Sequence, residues 1–361
     1  MSIQVSVVVP TCRRPAMLGR CLNALLRQDF DPGAYEIIIV DDAGCEETRS
    51  LIENFARKSM AYGYLPRKVS EVSVSPGPSR ADSDEPLGSE GVLIGFNIGP
   101  EFRYIPATGT SGPAAARNLG WQAAYGEVIA FTDDDCIPKP DWLKQGLAAF
   151  EDGVAGVSGQ VEVPLSKDPT DYQKNASQLA WSRFVTANCF YRRCALQQAG
   201  GFDQRFTTAW REDTDLFFRM LTRSFKLHYA PAAVVLHPVR PAPWGISIKQ
   251  QRKSMYNALL YKKHPGLYRR HIQSRPPLKY YTIVLSAIIA WGAAASGSWT
   301  VASLMAILWA LQTLHFALQR LRHTSRRLDH VLEMLVTSVF IPPLSVFWRL
   351  YGAANFKVFF L

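Results

Sequence analysis

From its amino terminus the chain alternates short apolar runs with amphipathic stretches. Val5–Val9 is a continuous apolar run that predicts a buried strand, and Met17–Arg27, after an Arg-Arg-Pro turn, has helical spacing. Residues 36–42 (EIIIVDD) form a second unbroken apolar run, closed by two carboxylates, as in strands covered on both faces of a parallel sheet. Glu46–Arg57 reads as a helix, Phe102–Ile105 as a strand and Pro113–Ala124 as a helix. Glu127–Thr132 reads as a strand that stops at Asp133-Asp134-Asp135. This rhythm predicts an α/β domain with a doubly wound, mostly parallel sheet flanked by helices, whose ligands lie beyond the carboxyl ends of the strands. Residues 66–92 interrupt it. They are rich in Ser, Pro, Gly and Asp and read as a flexible insertion, because the strand–helix rhythm resumes afterwards.

After Val154 the pattern becomes mixed. Ala155–Val163, Phe184–Tyr191 and Ala233–Leu236 are strand-like, a helix opens near Asp213, and a basic helical segment covers roughly Ile246–Lys263. Three apolar segments follow. Tyr281–Ser296 and Val301–Leu318 are joined by Gly297-Ser298-Trp299-Thr300, and Val331–Phe356 carries Pro342-Pro343 in its middle. A span needs about 20 residues, so the first is marginal and the second adequate; the third either spans or bends back along the interface. The expected organisation is a catalytic domain over 1–240, a basic connector over 241–280 and C-terminal membrane helices within 281–361.

Charge sharpens this division. The net charge is +10, yet seventeen Lys and Arg and no acidic residue lie between Asp215 and Asp329, which leaves the rest of the chain negative. A basic stretch that encloses long apolar runs points to anionic membrane lipids rather than nucleic acid. Both flanks of the apolar hairpin are basic, which places both on the cytoplasmic side. Six scattered cysteines form no CxxC pair and no signal-peptide pattern opens the chain, so free thiols in the cytoplasm are expected.

The candidate chemistry lies at element ends. In extended backbone Asp133 and Asp135 project to one side, and carboxylate oxygens there suit Mg²⁺ or Mn²⁺ bridging a diphosphate. Such a cation would neutralise charge growing on a leaving nucleoside diphosphate. Asp134 lies between them on the donor side. Asp41 and Asp42 close an earlier strand, where a carboxylate accepts hydrogen bonds from a ribose or base. Pro10, Thr11 and Arg13 end the first strand, and Arg117 follows Gly112-Pro113; guanidinium groups in these places hold phosphate or nucleotide oxygens. Glu212 and Asp213 open an apolar helical run, as capping residues or as catalytic carboxylates. In the second case Asp213 is a general base whose ionisation Arg211 favours. His237, after the strand Ala233–Leu236, is a candidate third metal ligand.

Taken in succession, VVVPTCRRP, IIIVDDAG, GPAAARNLGWQAAYGEVIAFTDDDCIPKPDWL, ANCFYRRCALQQAGGFDQRF and REDTDLFFRM resemble the inverting family-two glycosyltransferases of GT-A fold. The likeness runs from about residue 3 to 237 and is most specific over 112–143. It implies that Asp41 and Asp42 face the nucleotide, that Asp133 and Asp135 form the DxD metal and diphosphate motif, and that Asp213 is the base. It also puts Asn188 and Trp210 on the acceptor side. The implied partners are a nucleoside-diphosphate sugar and a glycan or lipid-linked acceptor. The QxxRW motif of processive synthases is missing from Lys249-Gln250-Gln251-Arg252-Lys253, which favours single transfer. A sugar-nucleotide pyrophosphorylase would want glycine after the first strand, where Pro10-Thr11-Cys12-Arg13 has none. A catalytically degenerate membrane-surface scaffold would not need carboxylates at these ends.

Overall fold

The computed structural model describes residues 2–61, 64–65, 69–71, 97–98, 100–107 and 112–360. Apart from Val69–Glu71, the insertion expected at 66–92 lies outside the described residues. The chain divides into two compact units: Met1–Glu162 with Arg183–His237, and Val163–Ser182 with Pro238–Leu361.

In chain order the first unit holds β1 (Val5–Thr11), α1 (Pro15–Leu25), β2 (Tyr35–Asp41), α2 (Glu46–Ala61), β3 (Tyr64–Leu65), β4 (Val69–Glu71), β5 (Asn97–Ile98) and β6 (Glu101–Pro106). There follow α3 (Pro113–Gln122), β7 (Val128–Phe131), β8 (Ile137–Pro138), α4 (Trp142–Ala148) and β9 (Val154–Glu162). After α5 (Asp171–Ala176), which belongs to the second unit, come β10 (Cys189–Arg192), α6 (Arg193–Ala199), α7 (Glu212–Thr222) and β11 (Lys226–Leu236).

Among the described residues, nine strands form one sheet in the order β4-β6-β2-β1-β7-β10-β9-β11-β8. β1, β2, β6 and β7 pair in parallel, so Thr11, Asp41, Pro106 and Phe131 end at the same edge. β10 runs antiparallel between β7 and β9, which brings its preceding residue, Asn188, to that edge. β11 returns parallel to β9 and delivers His237 there as well. The apolar runs of β1 and β2 are buried on both faces, packed by α3 and by the Phe131, Tyr191 and Phe202 rings. The expected strand Phe184–Tyr191 is shorter than its apolar run. Phe184 has left-handed backbone (φ 57°) and stacks on Phe217 inside the core, so its burial comes from packing and not from sheet pairing.

The second unit is helical. It comprises α5, α8 (Ile246–Gln250), a 3₁₀ turn at Gln251–Met255, α9 (Tyr256–Lys263), α10 (Pro265–His271), α11 (Leu278–Ala295), α12 (Trp299–Arg320) and α13 (Leu328–Asn355). The basic helical segment expected over 246–263 is helical throughout, with a tighter 3₁₀ turn where Gln251 and Ser254 side chains bond back to the Ser247 and Gln251 carbonyls. The first unit ends at His237, beside the boundary expected at 240, while Val163–Ser182 within the expected catalytic span belongs to the second unit. Val163–Ser182 packs with the C-terminal helices through a buried Arg320–Asp171 ion pair at 2.8 Å, the Ser325 amide on the Pro169 carbonyl at 2.8 Å, and Lys174 on the Arg322 carbonyl at 2.8 Å.

α11, α12 and α13 are long and apolar enough to cross a membrane, with mean hydropathies of 1.4, 1.7 and 1.7. At 1.5 Å per residue, 22 residues of α12 extend about 33 Å, against a hydrocarbon core of about 30 Å. Their mutual contact is made by Ile283, Phe316 and Ile341, while Trp291, Leu304 and Leu311 point outward. α13 continues through Pro342 and Pro343. The two missing amide donors are tolerated, as in membrane helices whose freed carbonyls find other partners.

Candidate active site

The edge where the parallel strands end gathers Asp41, Asp42 and the Asp133–Asp135 turn. β1 leads into a turn where Thr11 donates to Asp134 at 2.8 Å and Arg14 pairs with Asp134 at 2.9 Å. Pro15 then starts α1, since a first helical residue needs no amide donor. Burial raises the Asp134 carboxyl to about 6, against the pull of Arg14 and Thr11. Asp134, expected on the donor side, thus ties the β7 turn to the β1 turn. Arg14, the second arginine of Arg-Arg-Pro, had no role in the sequence reading. Arg13 is exposed, with left-handed backbone at φ 54°.

The two carboxylates that close β2 separate by depth. Asp41 is fully buried and accepts from the Ala43 amide at 3.0 Å, the Cys45 amide at 2.8 Å and the Tyr104 hydroxyl at 3.2 Å. Both of its oxygens shape the turn into α2. Asp42 accepts from the Gly112 amide at 3.2 Å through one oxygen, and its other oxygen is buried without a hydrogen-bond partner among the described residues. Burial raises the Asp42 carboxyl, opposed by the Gly112 amide. Gly112 takes φ +91°, and a Cβ there would lie 2.4 Å from the Thr207 carbonyl oxygen, so only glycine fits this approach.

Arg117 is the hub of the site. Its side chain, 3% exposed, donates to Asp133 at 2.8 Å and to Glu212 at 3.0 Å. The two carboxylates outweigh burial and keep the guanidinium charged. Arg117, expected at a phosphate, lies between two carboxylates inside the fold. Asn118, the next residue, holds the Phe202 amide and carbonyl, both at 2.8 Å, and so fixes the loop that leads to α7. That loop ends at Arg211, in left-handed backbone at φ 78°, with its guanidinium 4.6 Å from the half-exposed Trp210 ring.

Glu212 and Asp213 open α7. Glu212 is buried with Arg117, whereas Asp213 is partly exposed and accepts from the Thr214 amide and hydroxyl. Burial raises both carboxyls; the Asp213 charge adds to the effect at Glu212, and Thr214, Arg117 and Arg211 oppose it at Asp213.

Asp133 and Asp135 do not share a face by strand alternation. The Cys136 amide donates to the Asp133 carbonyl at 3.0 Å and folds the segment into a turn. Asp133 faces Arg117, and Asp135 lies 3.6 Å from His237 Nε2. Oxygen and imidazole nitrogen at that separation are a donor set that fits Mn²⁺ or Mg²⁺. The Cys136 sulfur joins them, with all three ligand atoms within 4.8 Å of one another, a proximity the sequence reading missed. Asn188, expected on the acceptor side, is fully buried, accepts from Trp142 at 2.9 Å and donates to the Gln160 and Ala233 carbonyls at 2.8 and 2.9 Å.

A doubly wound sheet whose strand ends carry these carboxylates defines the class of nucleotide-sugar transferases of GT-A fold. The chain belongs to glycosyl transferase family 2, whose model matches residues 6–70 and 82–210, and it is an inverting nucleotide-sugar glycosyltransferase. Among curated relatives it is 25% identical over 257 residues to glycosyltransferase AglE of Haloferax volcanii, an alignment covering 68% of this chain and 70% of that protein. It is 25% identical over 290 residues to validoxylamine A glucosyltransferase of Streptomyces hygroscopicus, covering 73% of this chain. The chain spans 57% of that enzyme's length. Among solved structures, the Pyrobaculum calidifontis mannosyltransferase PcManGT in complex with GDP-Man and Mn²⁺ shares the fold. Its TM-score is 0.56 at 17% identity, over 98% of this chain and 88% of that one.

Proposed function

We propose that the chain transfers a single sugar from a nucleoside diphosphate to a hydroxyl of a lipid-linked or envelope glycan. It does so at a membrane, with its catalytic unit on the cytoplasmic face. The observation that carries this reading is the Arg117 bridge, which joins the Asp133 turn to the Glu212–Asp213 helix start. Donor-diphosphate and acceptor-activating groups are thereby held by one side chain.

In this reading Asp133, Asp135 and His237 hold a divalent cation. When bound, the cation offsets charge developing on the diphosphate leaving group. Asp42 offers its second buried oxygen, without a partner among the described residues, to a ribose or base donor beside the turn of Pro10, Thr11 and Arg13. Asp213 takes the acceptor proton as the hydroxyl attacks the anomeric carbon from the face opposite the diphosphate. Glu212 acts through Arg117, because its carboxylate is buried against that guanidinium. Trp210, under Arg211, offers an exposed aromatic face to the acceptor sugar. Three apolar helices and the basic stretch before them support attachment to anionic lipid.

The test is a panel of nucleoside-diphosphate sugars given to the purified full-length protein in detergent with Mn²⁺. One donor should be turned over, dependent on the cation, and its product should carry the inverted anomeric configuration by NMR. Full turnover in excess chelator would contradict the cation's role, and polymer from a single encounter would contradict single transfer.

A further inference from the structure

β8 and β11 pair antiparallel, with Val235 opposite Pro138 and Leu236 opposite Ile137. Continued by one residue, this register sets His237 opposite Cys136. Cross-strand neighbours have Cβ atoms about 4.5–5.5 Å apart, so pairing of the two strands alone brings the thiol to the imidazole. Asp135 precedes Cys136 in the turn, and its carboxylate completes a set whose oxygen, sulfur and nitrogen lie within 4.8 Å of one another. The position is well fixed. Cys136 and Asp135 are 0% and 4% exposed, the His237 amide donates to the Glu162 carbonyl at 2.8 Å, and the Cys136 amide is held by Asp133.

We propose that Cys136 is itself a ligand of the divalent cation, giving a mixed oxygen, nitrogen and sulfur centre that favours Zn²⁺, Co²⁺ or Mn²⁺ over Mg²⁺. This rests on the cation site in the proposed function and adds to it a ligand outside the two aspartates. The chemistry follows from donor softness. Carboxylate alone suits Mg²⁺, whereas thiolate and imidazole favour borderline first-row ions. The thiol proton passes to solvent as the sulfur–metal bond forms, since a coordinating thiol is deprotonated. No oxidant or reductant is involved.

The experiment is a titration of the chelator-stripped, full-length protein in detergent with Co²⁺ alone, followed by absorption spectroscopy. The wild type should show a near-ultraviolet thiolate-to-cobalt charge-transfer band together with visible ligand-field bands. Cys136→Ser should lose the first, and its Co²⁺ and Zn²⁺ affinity should fall by at least the roughly tenfold that even outer partners of a metal ligand contribute. Its Mg²⁺ affinity should change much less. Cys136→Ala, checked by circular dichroism, separates ligand loss from misfolding, and the wild-type spectrum decides the matter without any variant. Ligand-field bands lost in Asp135→Asn, with no charge-transfer band in the wild type, would overturn Cys136 as a ligand and leave the cation site standing. No Co²⁺ binding that depends on Asp135 or His237 would overturn both.

Discussion

Replacing Arg117 by Met removes the charge between Asp133 and Glu212 while keeping most of the side-chain volume. Arg117 and Glu212 side chains are each 3% exposed and that of Asp133 is 25% exposed. The Glu212 arm therefore dominates, because Asp133 regains water. Stranding one partner of a buried ion pair typically costs about 3–5 kcal/mol. At about 2–4 °C per kcal/mol for a unit of this size, the melting temperature should fall on the order of 10 °C at neutral pH. Without Arg117 the Glu212 carboxyl is raised further, so the folded state binds more protons than the unfolded state above the ordinary carboxylate range. The deficit is then largest at high pH and shrinks as pH falls and Glu212 protonates. Thermal unfolding of the detergent-solubilised protein, followed by intrinsic fluorescence across pH, measures both the size and this slope. Adding Glu212→Gln to Arg117→Met should restore much of the loss. A melting temperature equal to wild type, or a deficit independent of pH, would refute the bridge as an energetic link.

Asn188→Ala removes three buried hydrogen bonds and should destabilise by about 2–4 kcal/mol, while the acceptor KM of the folded enzyme stays the same; a raised KM with unchanged stability would restore an acceptor contact. The acid limb of kcat/KM should lie above the ordinary aspartate range, because burial raises Asp213 and the base works ionised, so the rate climbs as pH rises through that higher value. A plateau already reached at the ordinary aspartate pKa would contradict that assignment. Alkaline or high-salt washing should leave the full-length protein in membranes. A chain ended at His264 should fail to give a stable soluble protein, because Asp171 loses Arg320; recovery of a soluble, nucleotide-binding product would show that Val163–Ser182 does not depend on the helices.

Periodicity made the first unit legible because its strands are buried on both faces and leave unbroken apolar runs, as at Val5–Val9 and Glu36–Asp42. It failed where burial had another cause. Phe184 lies in the core without belonging to a strand, and α6 is only seven residues long, too short for a helical period to stand out. The order of acidic residues along the chain marked the right turns but not their depth. Asp41 and Asp42 look alike as neighbours, yet one is consumed by local amides and the other keeps a buried oxygen. Arg117 and Asn188 drew attention as polar residues near element ends; their partners lie as much as 95 residues away in sequence for Arg117, which no local pattern encodes. His237 comes within 3.6 Å of Asp135 because β11 ends where the turn into its antiparallel neighbour β8 begins.

Asp213→Asn isolates the base of the displacement, since it keeps the side chain's shape and removes its basicity. The measurement is kcat alongside nucleotide affinity on the same purified protein. kcat should fall by roughly two to four orders of magnitude with donor nucleotide bound as tightly as by wild type. A variant that turns over at the wild-type rate, or one that loses donor binding and kcat together, would contradict Asp213 as the base.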